Sequence, residues 1–141
     1  MRKEDNVVSL ELAKRLKEAG VNSPSLFYWQ IWDDKSVDIA MGDEDDFDYS
    51  GAGRKVTEKI AAYTVTELME MLPYSIRLRG DEYFTLRIYK FRDGYGVEYG
   101  RWHDDKIEIL ETLFENKKLA DALAQALIWC RKREYEQGEG R

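Results

Sequence analysis

The chain has one cysteine, Cys130, so no disulfide can close within it and no cysteine cluster can hold zinc. It has one histidine, His103, which rules out a metal centre built from several imidazoles. Only two prolines occur, Pro24 and Pro73, so each reads as a local break in otherwise regular structure. No apolar run approaches the roughly 20 residues that cross a bilayer as a helix, so no membrane partner is expected. The first residues, Met1 to Asn6, are charged and lead into a helical pattern, not an apolar signal core. The expected location is therefore the cytoplasm. Internal repeats and low-complexity segments are also missing.

What is present suits a folded domain. The 141 residues are 43% hydrophobic, 13% aromatic and 35% charged, enough to bury a core and to be read as one domain spanning 1–141. The net charge is −6 and is unevenly spread. From Asp33 to Glu58 nine acidic residues face Lys35, Arg54 and Lys55, so this segment carries the whole excess. From Tyr74 to Arg101 the balance is slightly positive, through Arg77, Arg79, Arg87, Lys90, Arg92 and Arg101. Overall acidity argues against nonspecific binding to nucleic acid, which needs clustered positive charge, but it leaves room for a local basic face.

The most distinctive stretch is Asn116 to Tyr135. Leu119, Leu123, Ala126, Leu127 and Cys130 recur at helical spacing and form one apolar stripe, with Trp129 at its edge. Lys118, Asp121, Gln125 and Lys132 gather opposite, Asn116 is the expected N-cap, and Ile128 lies outside the stripe, where it should meet a second element or a partner chain. This helix is expected to be the main lid on a sheet, with a frayed tail over 136–141. An earlier helix is expected over about 7–19, capped by Asp5, Asn6 or Ser9 and ended by Gly20. A third begins at the capping box Thr64-Val65-Thr66-Glu67 and stops before Pro73.

Alternation marks the strands. Leu26 to Trp32 and Val37 to Met41 read as a hairpin across Asp33 to Ser36, and Lys59 to Tyr63 as a short strand. In Tyr83 to Phe91, Phe84, Leu86 and Ile88 point to the core, while Tyr83, Thr85, Arg87, Tyr89 and Phe91 point away. Asp93-Gly94 signals a hairpin turn to a strand over 95–101, and Asp104-Asp105 a turn to a last strand over 106–114. The expected fold is α+β. An antiparallel meander of five or six strands is covered by the long C-terminal helix and the two shorter ones.

Several patterns come near to chemistry. In the long acidic loop 42–55, Asp46-Phe47-Asp48-Tyr49-Ser50-Gly51 matches the first half of a calcium-binding loop, but position 12 is Thr57 where a glutamate is needed. Ser50 lies in no nucleophile elbow, and Gly51-Ala52-Gly53-Arg54-Lys55 has neither the P-loop spacing nor the dinucleotide glycine pattern. Cys130 on the buried stripe reads as a structural thiol, and His103 as an exposed turn residue. Carboxylates are plentiful, but none is singled out as a catalytic pair. No catalytic residue, metal site or cofactor is expected.

The ending Leu119-Ala120-Asp121-Ala122-Leu123-Ala124-Gln125-Ala126-Leu127-Ile128-Trp129 resembles the LADALAxxLIW ending of small uncharacterised proteins encoded by bacterial phages and prophages. Thr66 to Pro73 is similar to a T-x-E-L-x-x-x-L-P element in such proteins, and the early Phe27-Tyr28-Trp29 strand fits as well. These motifs are structural (cap, core stripe, turn) and bring no catalytic residues. The resemblance implies an accessory protein acting by binding in a bacterial cytoplasm.

The expected function is thus a non-enzymatic interaction protein. Phe47 and Tyr49 of the loop and Arg87 and Tyr89 of the 83–91 strand are its candidate contact residues, and the partner is another protein or a second copy. The alternatives are a single-stranded nucleic-acid module, using the Tyr/Arg face of that strand for stacking, and more remotely a carboxylate-based enzyme.

Overall fold

The computed structural model describes residues 3–42, 55–77, 82–110 and 114–138. Among the described residues three α-helices, α1 (Leu10–Glu18), α2 (Val65–Met71) and α3 (Leu119–Gly138), combine with eight strands. The strands are β1 (Phe27–Trp32), β2 (Val37–Met41), β3 (Val56–Ala61), β4 (Ser75–Arg77), β5 (Tyr83–Phe91), β6 (Gly94–His103), β7 (Lys106–Ile109) and β8 (Phe114–Asn116). The fold is α+β, with an antiparallel meander covered by helices.

The strands form two sheets, where one was expected. The smaller has the order β2-β1-β3; the larger runs β4-β5-β6-β7, with β8 also on β6. Two local features produce the difference. The third strand starts at Val56, earlier than the pattern Lys59 to Tyr63 suggested, and pairs with β1 instead of joining the meander. The expected strand over 106–114 is divided: β7 pairs with residues 100–103 of β6 and β8 with residues 95–97. Short β4 carries little alternation and was not read from sequence.

The helix ends follow their local chemistry. Ser9 caps α1 by accepting the Leu12 N–H at 3.4 Å. At the other end Gly20, at φ 91°, lets the Val21 N–H reach Leu16 O at 3.0 Å and its own N–H reach Lys17 O at 3.1 Å, closing the left-handed C-cap. Thr64 and Glu67 complete the capping box of α2. Glu67 does more: its carboxylate also accepts from Ser25 Oγ and the Leu26 N–H, both at 3.0 Å, pinning α2 to the start of β1.

Helix α3 covers the larger sheet, as expected, and is covered in turn by the other two helices. It packs on α1 and α2 on one side and on β6 and β8 on the other. Asp121, placed by the wheel on the solvent side, is buried and accepts the Ser9 N–H at 2.7 Å, so it holds the start of α1. Ile128, outside the stripe, is only 3% exposed and lines a cleft together with Arg15 and Glu18 of α1, so a second element of the chain lies beside it. The physical reason is size: Ala120, Ala122, Ala124 and Ala126 are all buried, and such small side chains let neighbours close in from every direction. Asn116 is not the N-cap; it ends β8, and its side chain accepts the Lys118 N–H at 3.2 Å one turn before the helix. The helix also continues to Gly138, past the expected end at Tyr135.

On the sheet side Trp129 lies against Tyr99 and Phe114, with ring centroids 6.2 and 6.1 Å away. Phe84, Val97 and Tyr99 complete this inner face, whereas Ile88, expected in the core, is exposed on the part of β5 that β4 does not pair with. Trp29 donates its indole N–H to Val8 O at 2.9 Å, tying the smaller sheet to the chain before α1.

Candidate functional site

The β5–β6 hairpin sets the geometry of the one sequence-named surface that the structure describes. Its two-residue loop is Arg92-Asp93, since Phe91 pairs with Gly94; the expected turn Asp93-Gly94 is displaced by one residue. Gly94 is required for another reason. A Cβ there would lie 2.6 Å from Asn116 O, so glycine lets β8 approach the hairpin. The resulting register sets Arg87 opposite Glu98, Tyr89 opposite Gly96 and Thr85 opposite Gly100. Opposed residues share a face. The outer face of the larger sheet therefore carries Tyr83, Arg87, Tyr89 and Phe91 from β5, Glu98 and Trp102 from β6, and Ile107 and Ile109 from β7.

Among the described residues no helix packs on this face. Its centre is covered by its own side chains. A Cβ at Gly100 would meet Arg87 Cδ at 3.2 Å and Ile107 Cγ2 at 3.3 Å, so Arg87 leans in from one side and Ile107 from the other. Under Arg87 lies Glu98, with its side chain only 3% exposed. Tyr89 Oη donates to Glu98 Oε1 at 2.5 Å, Arg87 Nε donates to Tyr89 Oη at 2.7 Å, and Arg87 Nε stands 3.7 Å from Glu98 Oε1. A buried carboxylate is tolerated only when paired in this way. Burial and the carboxylate acceptor raise the Tyr89 pKa above its ordinary value, while the Arg87 guanidinium opposes the rise. Arg87 and Tyr89, both named from sequence, thus come together. Their shared partner Glu98 was missed because only the hairpin register brings it opposite.

The margins of the face differ from its centre. Trp102 is 67% exposed and pairs across with exposed Ile107, and Ile109 is exposed beside them. At the other margin the Tyr89 and Phe91 rings stack 6.1 Å apart at an angle of 8°. Trp102, Ile107 and Ile109 were not read as a surface. The available signal was their shared parity about the Asp104-Asp105 turn, whose two residues adopt φ 51° and 62° and fix the pairing.

Phe47, Tyr49, Ser50 and the half calcium loop Asp46 to Gly51 lie outside the described residues. His103 is exposed at the end of β6, 3.3 Å from the Asp104 carboxylate, and Cys130 is buried in α3. Among the described residues no group of three or more His, Cys, Asp or Glu side chains could hold a metal. No described helix is long and apolar enough to cross a membrane. A cleft of about 530 Å³ opens between the end of α1 and α3, lined by Arg15, Glu18, Ile128, Arg131 and Lys132 among others. A second, of about 470 Å³, lies between the hairpin loop and β8. Neither is lined by Glu98 or Asp121, the two buried carboxylates among the described residues. Compared with family models, curated proteins and solved structures, the chain matches none.

Proposed function

We propose that the protein is a non-enzymatic interaction protein, an accessory factor of phage or prophage origin that binds another protein through the outer face of its larger sheet. The observation that carries the reading is the exposure of Trp102 beside Ile107 and Ile109 on a face that no described helix covers. Apolar clusters rimmed by polar groups mark protein contacts, and tryptophan is among the residues that contribute most to them. The Arg87–Tyr89–Glu98 contact holds the centre of the face rigid, which lowers the ordering cost of binding. The resemblance of the Leu119 to Trp129 ending to phage-encoded proteins supports the origin and a bacterial cytoplasmic setting.

The test is capture from an infected bacterial lysate, followed by titration of the purified partner against the wild type and Trp102→Asp. The partner should bind the wild type and lose affinity more than about tenfold with the variant. Equal binding by both overturns the reading. The Tyr89–Phe91 stack favours a second reading, a platform for single-stranded nucleic acid. It is weakened because the Arg87 guanidinium lies beside the Glu98 carboxylate, which repels phosphate. Titration with short single strands at low salt decides it: saturable binding lost in Arg87→Glu would favour nucleic acid over protein.

A further inference from the structure

The same β7 strand has a second exposed feature, its backbone edge. β7 is the terminal strand of its path; β6 pairs with one edge, and no described strand covers the other. The hydrogen-bond phase follows from one contact, the Leu110 N–H donating to Tyr99 O at 2.8 Å. Along an antiparallel strand, backbone groups alternate between the two sides. Leu110, Glu108 and Lys106 therefore address β6, and the N–H and C=O of Ile107 and Ile109 point to the open edge. Of the devices that ordinarily guard a sheet edge, this short strand carries charge, Lys106 and Glu108 on its inner side, which the opposite charges of a second copy can pair. The sequence Lys106-Ile107-Glu108-Ile109 contains no proline, and its register with β6 is unbroken.

The side chains on this edge are complementary to themselves. In a two-fold antiparallel pairing, residues from the same face must oppose each other, which leaves two central registers. Centring on Glu108 sets two carboxylates opposite each other. Centring on Ile107 sets Ile107 against Ile107 and Lys106 of each copy against Glu108 of the second copy. Opposite charges across a strand pair stabilise it and like charges oppose it. Glu108 is prepared for this: Arg101 Nε and Nη2 both engage Oε2, at 3.0 and 2.9 Å, leaving Oε1 for Lys106 of the second copy. On the outer face the pairing would align Trp102, Ile107, Ile107 and Trp102 in one apolar row across both copies.

We infer that two copies of this chain join through β7 about a two-fold axis at Ile107, making the two larger sheets one continuous sheet. The contact uses the strand edge and stands whether or not the outer face binds another protein.

Sedimentation of the purified chain over a range of concentrations tests it. The wild type should show a reversible dimer, and Ile107→Lys, which sets two ammonium groups face to face at the axis, should be monomeric with unchanged circular dichroism. Ile107→Cys gives a second, independent readout. Two Cα atoms in such a pair stand about 5.5 Å apart, within disulfide range, so this variant should cross-link under mild oxidation while the wild type, with Cys130 buried, does not. A monomeric wild type, a dimer that persists in Ile107→Lys, or cross-linking through Glu108→Cys but not Ile107→Cys overturns the inference. None of these results depends on capture of another protein, so failure here is distinct from failure of the proposed function.

Discussion

The two faces of the β5–β6 hairpin share one backbone and one register, yet they are held by different physics. The inner face is apolar at its centre, where Phe84, Val97 and Tyr99 are buried. The outer face has no described helix above it and buries a charge instead, with Glu98 held by Tyr89 and Arg87. Apolar burial is non-directional and tolerates small shifts, whereas the outer contact depends on distances and angles. The inner face therefore supplies stability, and the outer face supplies a rigid surface whose margins remain exposed.

The comparison can be broken most strongly from the inside. Phe84→Ala should cost about 3–5 kcal/mol of unfolding free energy through lost burial and the cavity it leaves, measured by urea denaturation. From the outside, Glu98→Ala should cost less, about 1–3 kcal/mol, because Tyr89 and Arg87 lose an acceptor but sit near solvent. The same variant should move the Tyr89 phenol down toward its ordinary pKa, since the carboxylate acceptor helps hold it up; absorbance titration against a Tyr89→Phe control reads this out. An unchanged phenol titration would show that burial alone sets its value.

Alkaline pH gives a third comparison. The buried Tyr63 phenol donates to Ser23 O at 2.6 Å and is pushed up from 10.0 to about 12, mainly by burial and secondarily by the nearby Tyr28 and Glu67. A folded pKa above the unfolded value means that the folded state holds the proton more tightly. Its contribution to stability is complete below pH 10.0 and is lost as the pH rises toward about 12. Tyr63→Phe should flatten this alkaline loss in thermal unfolding. The smallest expected stability effect belongs to Trp102→Ala on the outer margin, within about 0.5 kcal/mol, because so much of that ring is already in water. A larger loss would mean that the margin contributes to the fold and is not a spare surface.

Local signals carried much of this architecture. The Thr64 capping box, Gly20 as the end of α1, the Asp104-Asp105 turn and the faces of the 83–91 strand all appear in the structure at the places their chemistry indicates, because each depends on residues within one turn or one strand. The readings that failed depended on distant neighbours. Asp121 looked solvent-exposed until α1 brought the Ser9 N–H to it. Ile88 shares the parity of Phe84 and Leu86, but it lies beyond the short stretch of β5 that β4 borders and is exposed. The candidate surface was half legible. Arg87 and Tyr89 were visible as neighbours on one face, while Glu98 entered only through a hairpin loop displaced by one residue. Trp102, Ile107 and Ile109 were overlooked because three apolar side chains spread over two strands look like ordinary core until the covering layer proves to lie on the other side.

By itself, the sequence determined the fold class, the caps and turns, the alternation of the strands and the helical character of the C-terminal stretch, since these follow from short-range sterics, capping chemistry and periodicity. Tertiary structure alone decided that the strands divide into two sheets, that α1 and α2 close over the far side of α3, and that Glu98 is buried while Trp102 is exposed. Burial is a property of what packs against a residue from elsewhere in the chain, and no periodicity in one strand can report which of its faces a distant helix will choose.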